Sequence, residues 1–277
     1  MLVKRLPGVL GPRGRRRGYK AVTRIPVDPR GVARLMAVVV LSIASLSLAG
    51  QFFKHALGHD YLFGFVPLFD LNGERNVPAW FSSSMLLLCS VLLAAVAYSE
   101  GRVGGRDVLR WRVLSVIFLL MSVDEAVQIH EQTIDPLRSV FGTGGIFHYA
   151  WSVLGLAFVL AFAVVYFPFV ARLDARTRRL FVVSGALFVG GALGMEFVQG
   201  WHDGLYGRDG TTALITTVEE VLEMSGVTVF VYALLARLGS YGVVVSFRAG
   251  EDPDPQLQRA PPESAKVSPP TGTKRQS

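Results

Sequence analysis

The sequence predicts an all-α fold, a polytopic membrane helix bundle of about six transmembrane helices with both termini cytoplasmic. Three observations predict it. Hydrophobic residues make up 51% of the chain, charged residues only 18%, and mean hydropathy is +0.41, which is too apolar for a soluble domain of 277 residues. The apolar residues gather in six stretches, each near the roughly 20 residues that cross hydrocarbon as a helix. The Lys and Arg lie between those stretches and alternate in density, as topology signals do.

Residues 1–32 form a basic cytoplasmic segment with arginines at Arg13, Arg15, Arg16 and Arg17. The apolar run that follows has full spanning length and no small-residue cleavage site, so it reads as an uncleaved first helix. The spans are expected at 33–53, 80–98, 111–131, 147–170, 180–200 and 212–236, within a transmembrane domain of 33–237. The loop at 99–112 carries Arg102, Arg106, Arg110 and Arg112, and that at 171–180 carries Arg172, Arg176, Arg178 and Arg179. The alternate loops hold far less: Lys54 and Arg75, then Arg138, then Arg208. Positive-inside reasoning therefore puts both termini in the cytoplasm of a plasma-membrane protein. The tail 250–277, rich in Pro, Ser and charge, is expected to be a disordered cytoplasmic segment.

The net charge of +7 does not mark a nucleic-acid binder, because the basic residues are not gathered on one domain. The single Cys89 excludes an internal disulfide and a multi-cysteine zinc site.

Seven acidic residues lie inside the apolar stretches: Asp124, Glu125, Glu131, Glu196, Glu219, Glu220 and Glu223. A carboxylate in hydrocarbon costs several kcal/mol unless paired, protonated, metal-bound or wetted, so each reads as a functional group. The predicted orientation brings all seven to the outer side, and the five histidines fall in outer loops or at outer helix ends. In SVDEAVQIHE (122–131), helical spacing puts Asp124, Gln128 and Glu131 on one face, with His130 pointing elsewhere. In TTVEEVLEMSG (216–226), Glu219 and Glu223 are one turn apart, Glu220 flanks them, and Thr212 and Thr216 line the same side. GALGMEFVQGWHDG (191–204) adds Glu196, Gln199, His202 and Asp203. Ala186, Gly190 and Gly194 form a ridge of small residues expected to bring Glu196 close to a neighbouring span. In NVPAWFSS (76–83), Pro78 suits a helix first turn and Trp80 an interfacial anchor. Each carboxylate taken singly is as readily interhelical hydrogen-bond glue as a ligand. Glu74 and Arg75 read as ordinary loop pairing. SVDEAVQ and TVEEVLE resemble each other on the third helix of each half, as an inverted three-helix repeat would have them.

At NVPAW, SVDEAVQIHE and TTVEEVLE the chain resembles a widespread family of prokaryotic polytopic membrane proteins without an assigned function. The resemblance covers about 60–237. It implies six helices and adds no chemistry.

Three functions follow from the residues. The first is a metal-dependent membrane enzyme acting on a lipid-like or apolar substrate, with membrane lipids as its surroundings. Asp124, His130, Glu131, Glu196, His202, Glu219 and Glu223 are the candidate ligands of Zn, Mn or Fe, and Glu125 and Glu220 the candidate general acid/base groups. The second is a proton- or cation-coupled transporter whose acids form an outward-facing ion site. The third is a non-catalytic scaffold whose polar network fixes helix register.

Overall fold

The structure is a computed structural model that describes residues 23–25, 27–132, 151–242 and 245–247, with the backbone alone for 23–25, 130, 131, 151 and 245–247. The expectations for 1–22, 133–150 and the tail beyond 247 lie outside the described residues. The chain divides into two units. In the smaller, β1 (Thr23–Ile25) pairs antiparallel with β2 (Val245–Phe247), Arg24 opposite Ser246. The larger is all helix.

Its long helices are α1 (Pro29–Leu57), α3 (Val77–Arg102), α4 (Val108–Val127), α6 (Trp151–Arg172), α7 (Ala175–Val189) continued by α8 (Glu196–Tyr206), and α9 (Gly210–Ser240). Short helices α2 (Phe65–Phe69) and α5 (Ile129–Gln132) sit in the connections. Five rods are long and apolar enough to cross a membrane: α1, α3, α6, α7–α8 and α9. The sixth, α4, has 20 residues but carries Arg110, Arg112, Asp124 and Glu125 at its ends.

Contacts fix the direction of each rod. At one end, Asp107 before α4 accepts from Arg172 at the end of α6 (3.1 Å) and from Arg110. Arg237 of α9 bridges Glu100 of α3 (3.4 Å) and Asp174 before α7 (3.2 Å). Tyr232 of α9 takes hydrogen bonds from Arg176 of α7 and Arg30 of α1. At the opposite end, the His55 ring of α1 lies against Gly210 of α9, and Gln128 after α4 bonds Glu74 before α3. The six rods therefore alternate in direction, with the start of α1 and the end of α9 at the same, basic end.

Local chemistry explains the helix limits. Asp28 caps α1, Asp174 caps α7, and Asp209 forms a reciprocal capping box with Thr212 on α9. Asn76 caps α3 through Ala79 N–H, while its amide group donates to the carbonyls of Asp70 (2.7 Å) and Gly73 (2.9 Å), pinning the preceding loop. Pro78 lies in the first turn, and Trp80 is 71% exposed, as an interfacial anchor requires. Between α3 and α4, Ser83 and Ser122 donate to each other's carbonyls at 2.8 Å, and Ser90 and Ser115 do the same. The pairs are two turns apart on each helix, the register of antiparallel neighbours.

Helix α9 is the central rod, packed by α1, α3 and α7. Its core residues Met224, Val227, Phe230, Val231 and Leu234 meet Leu93 and Val96 of α3 and Trp111 of α4 in one apolar cluster. The outward surfaces stay apolar: Leu120 is 62% exposed, Val164 76% and Phe167 73%.

Two expectations need correction. The third span is not one helix over 111–131. It ends at Val127, where Gln128 takes a left-handed conformation (φ 62°) and its N–H closes on the Asp124 carbonyl at 2.6 Å. Glu131, in α5 beyond that break, does not continue the face of Asp124. The fifth span is not regular either, because Gly190–Met195 forms a π-helical turn between α7 and α8. The extra residue rotates the contact face. A Cβ on Gly190 or Gly194 would meet nothing within 4 Å, so these are not the approach ridge. Gly191 is the contact, with the Glu219 carbonyl and Glu223 Cγ each 2.8 Å from where its Cβ would stand. Gly226 of α9 meets the Phe188 amide and Ser184 carbonyl at the same distance, and Ser184 donates to the Gly226 carbonyl at 2.9 Å.

Gly226→Ala should therefore force α7 and α9 apart at a cost of about 1–3 kcal/mol, read as a lowered unfolding temperature of the purified protein. Gly185→Ala, where nothing lies within 4 Å, should leave it unchanged or raised; equal effects at both positions would refute the close approach. A second expectation concerns acid. At Asp107 the hydrogen bonds and charges of Arg110 and Arg172 together outweigh desolvation, its largest single influence, and hold the carboxyl below its ordinary value. The Thr177 amide does the same for Asp174, opposed by a smaller desolvation effect. Groups so depressed contribute stability that is fully present above the ordinary carboxylate value of about 3.9 and is lost as pH falls through the lowered one. Thermal stability should hold down to about pH 5 and fall below it, less steeply in the Asp107→Asn variant.

Candidate functional site

The carboxyl groups meet in the half of the bundle away from the basic end. Helix α9 supplies Glu219 and Glu220 side by side and Glu223 one turn on, and the π turn delivers Glu196 of α8 against them. The Glu219 and Glu196 carboxyls lie within hydrogen-bonding reach of each other, and both residues are 8% exposed. Glu223 lies within electrostatic reach of Glu125 on α4, Glu196, Glu219 and Glu220. Glu220 lies within reach of Glu125 and of Glu74, from the loop before α3. Six carboxyls from α4, α8, α9 and one loop thus share one region.

The local sequence explains why they can. Glycine at 191 lets the α9 backbone approach where any side chain would collide with Glu219 and Glu223. The π turn adds a residue immediately before Glu196 and so sets its direction; such turns recur at functional sites. The left-handed Gln128 turns its amide back to donate to Glu74 at 2.7 Å, which ties the loop to the end of α4.

Between the cluster and the end of the bundle runs a polar chain. Thr216 donates to Gln199 Oε1 at 2.7 Å and approaches Asn72 Oδ1 at 3.1 Å. One turn further out, Thr212 donates to Asp203 at 2.6 Å. Asp203 also meets His202 Nδ1 at 3.2 Å, and the other ring nitrogen of His202 lies 3.8 Å from Asp209. Arg208 Nε is 3.9 Å from Asp203. On the far side of the loop, Gln51 of α1 donates to Asp70 at 2.5 Å and Ser47 accepts from the Leu71 amide at 3.1 Å.

The candidate residues therefore divide. Glu125, Glu196, Glu219, Glu220 and Glu223 come together. Asp124 is half-buried at the end of α4, next to Glu125 in the chain. His202 is buried in a separate knot with Asp203 and Asp209, about two turns of α9 from Glu219 as measured from Thr212. The side chains of His130 and Glu131 lie outside the described residues. Glu74 was read as ordinary loop pairing and joins the cluster instead; its only sequence signal is its place two residues before the NVPAW entry. Among the described residues, no group of three His, Cys, Asp or Glu is arranged to hold a metal ion.

Directly beneath the carboxyls, toward the basic end, is an apolar cleft of about 380 Å³ between α4, α6, α7 and α9. Met121 and Val227 at its upper margin stand one turn from Glu125 and Glu223. Its floor is aromatic: Phe181 packs on Phe230 with ring centres 4.8 Å apart, and Trp111 on Phe169 at 4.9 Å.

No curated protein and no solved structure matches the chain. Residues 32–238 match the family described as a domain of unknown function, DUF8692. That match covers every long helix from the first turn of α1 to the last turn of α9, and the chain belongs to that family.

Proposed function

We propose that the chain is a multi-pass plasma-membrane protein, both termini cytoplasmic, whose Glu196–Glu219 pair binds an exchangeable cation on the outer side and serves a membrane enzyme acting on a lipid-like substrate. The approach of these two buried carboxyls carries the reading. Two ionised carboxylates at that range repel and neither can donate to the other, so a shared proton or a bound cation is what would stabilise the pair. A pair that shares a proton is suited to general acid/base work on a bound substrate. Glu125 and Glu220, beside it, are candidates for passing the proton on.

The membrane reading draws on the length of the apolar rods and on their exposed Leu, Val and Phe, which water would not tolerate over so wide a surface. Alternation of six rods supports an even number of crossings, with α4 included despite its four charges, since those sit at its two ends. The pairing of β1 with β2 supports it independently, because chain before the first helix and after the last can hydrogen-bond only on one side. Arg102, Arg106, Arg110, Arg172, Arg176, Arg178 and Arg179 at the other end from the carboxyls support a cytoplasmic assignment for the basic end.

A divalent metal such as Zn, Mn or Fe could replace the proton by taking the same oxygens. A catalytic metal commonly takes three protein ligands, and with Glu196 and Glu219 the third would come from His130 or Glu131. A transporter is the second reading, favoured by the polar chain from Asp203 through Thr212, Thr216 and Gln199 to the cluster. The aromatic floor beneath opposes it, because a path needs polar lining on both sides.

Infrared spectroscopy of the purified protein tests the pair. Wild-type protein should show the carbonyl stretch of protonated carboxylic acids, and Glu219→Gln should remove the component that belongs to the pair. Added Zn, Mn or Fe should diminish the band and bind at one equivalent, with no binding to Glu219→Gln. A spectrum of ionised carboxylates alone, with no metal bound, would sink the proposal. In the scaffold reading Glu196→Gln would keep or raise the unfolding temperature and change neither readout.

A further inference from the structure

We infer that the cleft between α4, α6, α7 and α9 is a binding site for a single-chain cationic amphiphile, its apolar chain in the cleft and its amine head against Glu125 and Glu223. This rests on the proposed membrane enzyme and names the class of its substrate.

The cavity itself carries the argument. Its volume of about 380 Å³ falls within the range of small-molecule sites. The walls are almost wholly apolar, with Leu114, Phe118, Phe162, Val170 and Phe188 among them. Polar groups are confined to Tyr166, whose hydroxyl donates to the Arg110 carbonyl at 3.3 Å, and Ser184, which donates to the Gly226 carbonyl at 2.9 Å. Both hydroxyls are engaged, so nothing on the walls competes for a polar ligand. A hydrocarbon chain fits this chemistry.

The cleft also has a direction. At its lower end Phe181 and Phe230 pack edge to face, Phe118 stacks on Phe230 at 4.8 Å, and Phe162 stacks on Tyr166 at 4.4 Å. These rings stop a chain from passing through toward the basic end. At the upper end, Met121 and Val227 lie one turn below Glu125 and Glu223 on the same helix faces. From Phe230 to Glu223 is seven residues of helix, about 10 Å, which bounds the length of chain enclosed. A ligand seated there has its chain end against the rings and its head at carboxyls. Charge complementarity selects the head: an ammonium would compensate acids that otherwise repel one another, whereas a phosphate or sulfonate would add to the repulsion.

The bulk-lipid alternative makes a different prediction. A cleft that merely accommodates phospholipid tails would take any chain regardless of head. Carboxyls at the mouth require a preference.

The probes are a long-chain primary alkylamine with a diazirine near its tail and the alkylsulfonate of the same chain. The full-length protein is held in phosphatidylcholine nanodiscs. On illumination the amine should label residues 158–170 and 181–189 several-fold more than the sulfonate does. That preference should disappear in the Glu125→Gln/Glu223→Gln double variant. Ala163→Trp, at an exposed position on the cleft wall, should lower labelling by both probes without lowering the unfolding temperature. Equal labelling by amine and sulfonate, or a preference that survives the double variant, overturns the inference. The carboxylic-acid infrared band recorded on the same wild-type sample separates the two failures. A band with no labelling preference removes only the amphiphile, and a preference with no band removes only the proton-sharing pair.

Discussion

The approach of α7 to α9 at Gly191 and Gly226 is the constraint on which the rest depends. Small residues at a helix–helix contact let the backbones come close, which favours van der Waals contact and interhelical hydrogen bonds. Neither glycine leaves room for a Cβ, and the Ser184 hydroxyl adds a hydrogen bond across the same seam. Because Gly191 abuts Glu219 and Glu223 themselves, the contact that holds two rods together also sets the position of the carboxyls. Separation by the width of a methyl group would part Glu196 from Glu219. The π turn belongs to the same device. It allows α7 to present glycine to α9 and then, five residues on, α8 to present Glu196 on the matching face.

Around that seam the bundle is polarised along its axis. One half holds carboxyls, Thr–Asp and Thr–Gln bonds and the Gln128–Glu74 tie. The other holds Trp111, Phe118, Phe169, Phe181 and Phe230, closed at its tip by Arg and Asp pairs. Polar side chains are stable inside an apolar bundle only where partners or water reach them, and the Thr–Asp, Thr–Gln and Gln–Glu bonds supply such partners in the carboxyl half. The aromatic half has no such requirement and serves as a seal. A site with a sealed floor suits binding and chemistry better than passage.

Much of this was legible in the sequence, for identifiable reasons. Hydropathy located the long helices, since length and composition alone decide which stretches are apolar rods; five of them are long and apolar enough to cross a membrane. Helical spacing gathered Glu219, Glu220 and Glu223, and alternate directions brought Glu125 and Glu196 to the same half. Periodicity failed where the backbone leaves the α-helix. Gln128 adopts a left-handed conformation without being Gly or Asn, held by a bond to a residue 54 positions earlier, and no local signal announces it. The π turn inserts one residue, which moves the packing glycine from 190 and 194 to 191. Glu74 went unrecognised because a loop acid next to an arginine reads as solvated, and the pairing of His202 with Asp203 and Asp209 was not legible because depth in the bundle does not report which partner a ring meets.

The choice of side chain bears on the scaffold alternative. Interhelical glue needs a donor on one partner and an acceptor on the other, and Gln can be either without a bound proton; in the same half of the bundle Gln199 accepts from Thr216, and Gln51 and Gln128 donate to Asp70 and Glu74. Glu at 196 and 219 can make the same contact only with a bound proton or cation. It also carries a larger penalty in apolar surroundings, several kcal/mol per ionised group. A network serving packing alone would gain from Gln at both positions and would lose nothing. Six acids sharing one region multiply that penalty, since each raises the cost of ionising the next. The arrangement makes physical sense where cation binding is itself the task, which is why the carboxyl pair, and no other polar contact in the bundle, is assigned the chemistry.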